Sequence, residues 1–350
     1  MAPNWSRTNL LIAAAASKLG VGCEPLGSEH SDFFMRLLGP EQGSRGSVLI
    51  SKTRSPFLTQ VAQTLSNNKF LAAERMAALG LPTPPHQLFD EAADPREPGP
   101  ARARAEAMLR AHGRVVVKPN WGNRGLGVVT GIDDLESLGR AYAHARELDR
   151  DEEVLVEAEI EGVNLRVAVV GGRYLAAAEV ARPLLRGDGR RSIRECVQAL
   201  NTDPRRGHWA RPGLEPMDQI DLEQVAAWLC AMGLELDHRL PAGVEIELSS
   251  EEAEVADRSE HLHPGWREIA VEAARCLGVD VAGVDLRGPW GAFERPPSEH
   301  SAACVLEVNA CPGLHLHALP TRGKARPVFE AFVAYCVQLP GAPEPCAQVP

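Results

Sequence analysis

The stretch VVVKPNWGNRGLGVV, residues 115–129, places an apolar run ending near Lys118 just before three glycines, Gly122, Gly125 and Gly127. A short apolar run predicts a buried strand. Glycine tolerates positive φ and has no Cβ, so the loop can turn a β-hairpin or bring backbone N–H groups close to phosphate oxygens. Both interpretations stay open on spacing alone, because the stretch matches neither G-x-x-x-x-G-K-[ST] nor a well-formed G-x-G-x-x-G.

The flanking segments predict an α/β chain. Apolar periodicity with capping residues predicts helices over residues 6–20, 57–80, 101–113 and 264–278, and mainly helical structure over 192–240. The helix over 57–80 carries Lys69 and ends before LPTPP, because prolines lack donors. Short apolar runs predict strands over 47–53, 154–160, 279–288 and 304–313, and a hairpin over 164–181 that turns at Gly171-Gly172. The segments 90–100, 249–263 and 289–301 are predicted loops.

Composition narrows the function classes. The 350 residues are 44% hydrophobic, enough for a sizeable core, and the net charge of −10 argues against a surface that binds nucleic acid. We find no run of about 20 apolar residues, which is the length of a membrane span, and no basic leader, so we expect a cytoplasmic protein without a membrane partner. The eight cysteines occur singly, which indicates neither a zinc site nor a disulfide framework.

A second group of polar residues lies on two apolar strands near the carboxyl terminus. Asp285 occurs in AGVDLRG, and Glu307 and Asn309 occur in VLEVNACPG. Glu307 and Asn309 are two residues apart on a strand, so their side chains share a face. An acid and an amide among Val and Leu need a partner, and Mg²⁺ prefers such oxygen ligands. The alternative is that Glu307 pairs with an arginine and Asn309 caps the following turn.

The order of these pieces resembles the ATP-grasp superfamily of ligases from about residue 60 to residue 328. The strings IEGVNLRVAVVGGRYLAAAE, RGDGRRSIRECVQALNTDPRRG and LEVNACPGLHLHALPTRGKARPV are similar to the ATP-grasp module of cyanophycin synthetases and of fused glutathione synthetases. The most specific of them is the GDG-x-x-[ST]-I…N-x-D-P-x-R-x-G pattern. The resemblance implies an ATP-grasp fold with ATP held between two lobes.

The resemblance also assigns residues. It implies that ATP is bound by Lys69, Lys118, Gly122, Asn123, Gly125, Gly127 and Glu157, the last one at the adenine. Asn164 stands where the family usually has an acidic residue for the ribose. The implied magnesium ligands are Asp285, Glu307 and Asn309, with two ions expected and Mn²⁺ as an alternative. Arg166 matches an arginine near the acceptor carboxylate, and with Lys118 it would act in catalysis.

The domains and activity expected from the resemblance follow. We expect a small α/β lobe over residues 1–65, a central lobe over 66–155, a carboxy-terminal lobe over 156–340 and a tail over 341–350. The expected activity joins amino acids or small peptides through an acyl phosphate, with release of ADP. A phosphotransferase that makes no amide is the alternative, and a non-catalytic nucleotide-binding protein is a third. We expect either a stand-alone ligase or one with a separate partner enzyme or carrier, and family members are often homodimers.

Three further features have two interpretations each. The H-x-H pairs of His261 with His263 and His315 with His317 favour structural roles, with a substrate contact as the alternative for the second pair. The acidic residues of 251–257 indicate a solvated loop, with a binding surface for a cationic acceptor as the alternative. Arg205 and Arg206 favour local pairing, with contact to the substrate carboxylate or phosphates as the alternative.

Overall fold

The computed structural model describes residues 5–26, 33–40, 46–90, 98–122, 125–207, 213–248, 254–298 and 302–345. The expected ATP contact Asn123 lies outside these residues, as do Glu251 and Glu252 of the acidic stretch. None of the helices in the described ranges is both long and apolar enough to cross a membrane.

Helices and strands are mixed along the chain, as the sequence predicts. The helices are α1 (Arg7–Lys18), α2 (Gln60–Asn67), α3 (Lys69–Ala78), α4 (Pro98–His112), α5 (Leu135–Leu148), α6 (Ile193–Leu200), α7 (Leu222–Ala231), α8 (Pro264–Cys276), α9 (Trp290–Phe293), α10 (His315–Ala318) and α11 (Val328–Cys336). The strands are β1 (Gly22–Pro25), β2 (Phe34–Leu38), β3 (Ser47–Ser51), β4 (His86–Asp90), β5 (Val115–Pro119), β6 (Val129–Ile132), β7 (Glu153–Ala158), β8 (Val163–Val170), β9 (Arg173–Ala181), β10 (Leu184–Arg186), β11 (Arg206–Gly207), β12 (Met217–Asp218), β13 (Glu245–Glu247), β14 (Glu254–Asp257), β15 (Val281–Gly288) and β16 (Cys304–Asn309).

The largest sheet carries the carboxy-terminal site residues. Its five strands run in the order β14-β9-β8-β15-β16, and all neighbours are antiparallel. The register aligns Arg166 with Asp285 and Asp285 with Glu307. Directly opposite residues of an antiparallel pair point to the same face. The three side chains therefore form one row across the sheet.

One face of this sheet packs on α8. Leu165, Val167 and Val284 of the sheet are fully buried in one cluster with Trp266 and Ala270 of α8. This cluster also takes in Ala72 and Met76 from α3. The buried face therefore fixes the position of α3, which begins at Lys69, relative to the strands that carry the acidic residues.

A smaller sheet carries the glycine loop. Its four strands run in the order β4-β7-β5-β6 and bury Phe89, Val115, Val117, Val154 and Val156 against α4 and α5. Strands β5 and β6 pair antiparallel on either side of the loop. The hairpin interpretation of residues 115–129 is thus correct for the strands, and it does not exclude a phosphate-binding role for the loop between them.

The amino-terminal sheet β1-β2-β3 and α1 pack against the face of the large sheet opposite α8. Ile12, Met35 and Leu37 share a hydrophobic cluster with Val281 of β15 and Phe332 of α11. A hydrogen bond from Thr53 Oγ1 to the Pro312 carbonyl, 2.8 Å long, ties the segment after β3 to the turn that follows β16.

The described residues of 184–207 and 213–248 contain a separate hydrophobic cluster. Leu185, Ile193, Val197, Leu229 and Leu240 are buried together there. The mainly helical prediction for 192–240 is confirmed for α6 and α7, but two short strands, β11 and β12, lie between them and pair in parallel. Strands of two residues are too short to show a hydrophobic period.

Two other predictions need correction. The helix predicted over 57–80 is broken at Asn68, whose backbone is extended and whose side chain accepts the Leu71 N–H at 2.9 Å, so a second helix starts at Lys69. The predicted loop 249–263 contains strand β14, which pairs with β9 and buries Val255. The predicted hairpin turn is confirmed, because Gly171 and Gly172 have φ values of 56° and 71°, as the favoured hairpin turns require.

Candidate functional site

Asp285, Glu307 and Asn309 converge on one point of the large sheet. Asn309 Nδ2 lies 3.1 Å from Asp285 Oδ2 and 2.9 Å from Glu307 Oε1, and it donates to both. Both carboxylates therefore lie within hydrogen-bond distance of one side-chain nitrogen, that of Asn309. The structure brings together the three residues that the sequence predicts as magnesium ligands.

The pKa values of Asp285 and Glu307 are shifted in opposite directions. Burial, opposed by the charge of Arg166 and reinforced by the charge of Glu307, raises the pKa of Asp285 to about 7. The pKa of Glu307 lies below its usual value although burial acts to raise it, because hydrogen bonds with Asp285 and Asn309 and the charges of Lys118 and Lys69 outweigh that effect. Two close carboxylates resist simultaneous ionisation, and a bound cation relieves that cost.

Arg166 contacts Asp285 directly. Its Nε donates to Asp285 Oδ1, and its Nη2 donates to Asp285 Oδ2 at 2.9 Å. Gly283 leaves room for this contact, since a Cβ there would lie 2.9 Å from Arg166 Cδ and 3.0 Å from Pro312 Cβ. Arg166 therefore orients one of the predicted metal ligands in this structure, and its predicted contact with a substrate carboxylate stays a prediction.

On the smaller sheet, Lys118 and Glu157 form a buried ion pair. Lys118 Nζ lies 2.6 Å from Glu157 Oε2, and the two side chains are 9% and 5% exposed. They lie on the adjacent strands β5 and β7, where the residue opposite Lys118 is two positions before Glu157. Two predicted ATP contacts thus lie side by side, and the carboxylate fixes the position of the ammonium.

Lys69 joins the two groups of residues. Its ammonium donates to the carbonyl oxygens of Asn120 at 3.3 Å and of Gly122 at 2.9 Å. Burial lowers the pKa of Lys69. The charges of Glu307 and Glu157 act to raise that pKa, and the charge of Lys118 acts to lower it. The amino end of α3 therefore lies beside the glycine loop, and α3 itself packs in one hydrophobic cluster with β16, the strand that carries Glu307 and Asn309.

Other residues that the sequence analysis considers for the site form hydrogen bonds or ion pairs with other protein side chains. Asn164 Oδ1 accepts a hydrogen bond from Arg287 Nη1 at 2.7 Å, so the structure gives it a protein partner. Asp257 and Glu254 of the acidic stretch pair with Arg326 and Arg322. Arg205 pairs locally with Asp203.

The histidines and Arg206 also have structural contacts. His263 caps α8 by accepting the Gly265 N–H at 3.1 Å. His317 is only 3% exposed and lies near the charge of Arg166. Arg206 donates from Nη1 to the Asp218 carbonyl at 2.7 Å.

Sequence reasoning missed two residues at the base of the glycine loop, Asn120 and Asp149. Both are almost fully buried, with exposures of 0% and 4%. Asp149 Oδ2 accepts the Trp121 N–H at 2.7 Å, at the point where the loop begins. A polar residue directly after the VVVKP strand is a signal that could have identified Asn120.

The residues present fit ATP and Mg²⁺. Gly122 has a φ of 142°, and a Cβ there would lie 4.0 Å from Lys69 Nζ, so a side chain would fill the space beside the ammonium. No group of three or more His, Cys, Asp and Glu side chains suited to a metal forms among the described residues. Two carboxylates and an amide instead suit Mg²⁺, which usually binds one or two carboxylates together with substrate phosphates.

Known proteins resemble this chain in sequence and in structure. It is 30% identical over 219 residues, 61% of its length, to a cyanophycin synthetase from Crocosphaera subtropica, of which it covers 24%. It is 26% identical over 329 residues, 91% of its length, to the glutathione biosynthesis bifunctional protein GshAB from Mannheimia succiniciproducens, of which it covers 41%. The chain thus spans less than half of either relative. No protein-family model matches it.

The crystal structure of a bifunctional glutathione synthetase from Pasteurella multocida superposes with a TM-score of 0.57 at 22% identity. The superposition covers 95% of this chain and 43% of the other. The fold is therefore the mixed α/β ATP-grasp fold, as predicted. Within that class, the chain is a homologue of cyanophycin synthetases and bifunctional glutathione synthetases, which confirms the resemblance found in the sequence.

Proposed function

We propose that this protein is an ATP-dependent carboxylate–amine ligase that forms an amide bond between amino acids or small peptides. The observation that carries the proposal is the meeting of two groups of side chains. Helix α3, which begins at Lys69, packs in one hydrophobic cluster with β16, the strand of Glu307 and Asn309, and the charges of Lys118 and Lys69 act to lower the pKa of Glu307. Cations suited to phosphates therefore lie near carboxylates suited to Mg²⁺. The homology to two kinds of synthetase supports the same activity.

A free carboxylate does not react with an amine at neutral pH, because hydroxide is a poor leaving group. ATP provides a better one. In the proposed reaction a carboxylate oxygen of the first substrate bonds to the γ-phosphorus, and the bond from that phosphorus to the ADP oxygen breaks. The amine of the second substrate then bonds to the acyl carbon, phosphate leaves, and the amine loses a proton.

This chain's residues would position those groups. Lys118 and Lys69 would bind phosphate oxygens and spread the charge that develops on them. Glu157 would fix the Lys118 ammonium, and Arg166 would orient Asp285, as they do in this structure. Asp285, Glu307 and Asn309 would hold Mg²⁺, which supplies Lewis-acid stabilisation of phosphate oxygens. The glycine loop would close over the phosphates and exclude water.

A phosphotransferase is the alternative, because the same phosphate-binding and metal-binding residues would serve transfer to an acceptor without amide formation. The two activities differ in their products. A ligase gives a product with the mass of both substrates minus water, together with ADP and phosphate. A phosphotransferase retains the phosphate on one substrate even when amines are supplied.

The test is ADP release from Mg²⁺-ATP with amino acids and dipeptides, supplied singly and in pairs. We expect one carboxylate and amine pair to stimulate ADP release, with a condensed product in the mass spectrum. Glu307→Ala should abolish the stimulation. Glu272→Ala, which removes a partner of Arg275 on the outer side of α8, is the matched control and should retain it.

The result that would overturn the ligase proposal is a phosphorylated product with no amide. Failure of the wild-type protein to bind ATP would overturn the whole assignment of the site. If ATP binds but no pair of small substrates is condensed, carrier-bound or peptide substrates are the next to test.

A further inference from the structure

Asn120 connects the base of the glycine loop to its surroundings through each of its polar groups. The residue is fully buried, and its N–H donates to the Glu153 carbonyl at 3.1 Å. Its side-chain Nδ2 donates to the carboxylate of the same Glu153. Its Oδ1 accepts the Phe70 N–H at 2.9 Å. One side chain thus joins β7 to the first turn of α3.

The same residue contacts Lys69 twice. The Asn120 carbonyl oxygen accepts the backbone N–H and the ammonium of Lys69, each at 3.3 Å. The first N–H groups of a helix have no partner within the helix, so those of α3 need acceptors from outside. Asn120 supplies two of these acceptors, its carbonyl oxygen for the Lys69 N–H and its Oδ1 for the Phe70 N–H. Asn120 therefore ties the first turn of α3 to the loop, and it shares the Lys69 ammonium with the Gly122 carbonyl, which accepts it at 2.9 Å.

The loop is held from the other side by Asp149. Its Oδ2 accepts the Trp121 N–H at 2.7 Å, and its Oδ1 accepts the N–H groups of Asp151 at 2.9 Å and Glu153 at 3.1 Å. Asp149 thus sets the path of Trp121, next to Asn120, against the turn between α5 and β7. Asn120 thus lies between Pro119, the last residue of β5, and Trp121, whose N–H is held by Asp149.

We propose that Asn120 is a positioning residue. Its side-chain hydrogen bonds to Phe70 and Glu153 fix its own backbone carbonyl, which accepts the Lys69 ammonium, and they thereby hold that ammonium in place for the phosphates of ATP. A lysine side chain loses much rotational freedom when it binds a ligand, and a side chain that is already held loses less. The inference rests on the proposed function, in which Lys69 binds phosphate. It goes beyond that function by assigning part of the ATP affinity to a fully buried residue.

A double-mutant cycle tests the proposal. Dissociation constants for a non-hydrolysable ATP analogue with Mg²⁺ are measured by calorimetry for wild type, Asn120→Ala, Lys69→Ala and the double variant. We expect Asn120→Ala to weaken binding about tenfold in the wild-type background and less than twofold in the Lys69→Ala background. An equal loss in both backgrounds, or no loss, would overturn the proposal.

A rescue experiment guards against a simple folding defect. Asn120→Asp places a second carboxylate beside Glu153 and should weaken binding, whereas Asn120→Asp with Glu153→Gln restores a donor and acceptor pair in reversed order. We expect the second variant to recover most of the affinity. Failure to recover, in a protein that unfolds at the wild-type temperature, would contradict the proposed role.

The matched control is Asn201→Ala in the 184–248 segment. Asn201 likewise bonds a backbone N–H and a backbone carbonyl, both of Ile220, at 2.8 and 2.9 Å. Its loss should lower the unfolding temperature and leave the affinity for the analogue unchanged. A wild-type protein that does not bind the analogue would overturn the proposed function, whereas binding that is unaffected by Asn120→Ala would overturn only the role of Asn120.

Discussion

Lys118 and Glu157 lie on neighbouring strands and form an ion pair 2.6 Å long in which both side chains are almost fully buried. In the proposed function, the lysine of this pair also binds phosphate. The two roles can be separated, because stability depends on whether a buried charge has a partner, whereas ATP binding needs the lysine itself.

Lys118→Met should lower the free energy of unfolding by about 3–5 kcal/mol, because it leaves the buried carboxylate of Glu157 unpaired. Lys118→Met combined with Glu157→Leu removes both charges and should recover most of that loss. Neither variant should bind ATP. Urea denaturation measures the stabilities and calorimetry the binding, and equal stability of the single and the double variant would contradict this account.

The buried His317 should make the protein less stable in mild acid. Burial, followed by the charges of Arg166 and His315, lowers its pKa to about 3, and the charge of Asp257 acts in the opposite direction. The unfolded chain then takes up a proton near pH 6.5 that the folded chain does not take up until about pH 3. Stability should therefore fall as the pH drops through this window.

His317→Gln removes this titration and should flatten the pH dependence. Between about pH 7.5 and about pH 5 the wild type should lose roughly 2 kcal/mol more unfolding free energy than the variant. Urea denaturation at both pH values measures the difference. His112→Gln, at an exposed position of α4, is the control, and it should keep the wild-type dependence.

Replacement of Gly127 by a larger residue should destabilise the protein for two separate reasons. Its φ is 73°, and a Cβ there would lie 2.7 Å from Pro119 Cγ and 2.9 Å from Leu148 Cδ1. Gly131 has almost the same φ, 74°, but its nearest neighbour would be Arg114 Nη2 at 3.5 Å. The two glycines therefore share the backbone strain and differ in the steric clash.

Gly131→Ala should cost roughly 1–2 kcal/mol of unfolding free energy from strain, and Gly127→Ala about 1–3 kcal/mol more from overpacking. Gly127→Ala should also weaken ATP binding, because it displaces the end of the glycine loop. Thermal and urea unfolding with calorimetry on both variants measure these effects. Equal losses of unfolding free energy in the two variants would show that the steric clash at Gly127 does not add to the cost of backbone strain.

The sequence predicted the parts of the site that depend on strand geometry. Glu307 and Asn309 had to share a face because side chains alternate along a strand, and they do. Asp285 joins them as a third polar residue on an apolar strand, and the phosphate-binding roles of Lys69 and Lys118, which the resemblance implies, stay predictions. The strands and the hairpin turn at Gly171-Gly172 followed from local patterns and turn chemistry.

What the sequence could not predict depends on contacts between distant segments. The break at Asn68 is hidden within a regular helical pattern, and the bridge between Asn68 and Trp121, a contact between distant segments, adds to the local cap that Asn68 forms on α3. Strand β14 lies inside an acidic stretch of low hydrophobicity, and its pairing with β9 overrides the local preference. The Arg166 contact with Asp285 depends on register, which no single strand specifies.

The acidic trio gives the sharpest prediction about metal dependence. Asp285 and Glu307 are held together on one amide nitrogen of Asn309, an arrangement that a divalent cation would stabilise. ATP binding should therefore need Mg²⁺ and should be lost in EDTA. Glu307→Gln keeps the size of the side chain but removes one charge, so the Mg²⁺ concentration for half-maximal ATP binding should rise at least tenfold, by about 1.4 kcal/mol or more.

A Mg²⁺ titration at fixed ATP concentration, followed by calorimetry, measures this shift. The control is Glu272→Gln, whose carboxylate pairs with Arg275 on the outer side of α8 and should leave the titration unchanged. The stability of Glu307→Gln without Mg²⁺ separates binding from folding, since removal of one of two close carboxylates should not destabilise the protein. A Glu307→Gln protein that is stable and binds ATP with the wild-type Mg²⁺ requirement would place the metal elsewhere.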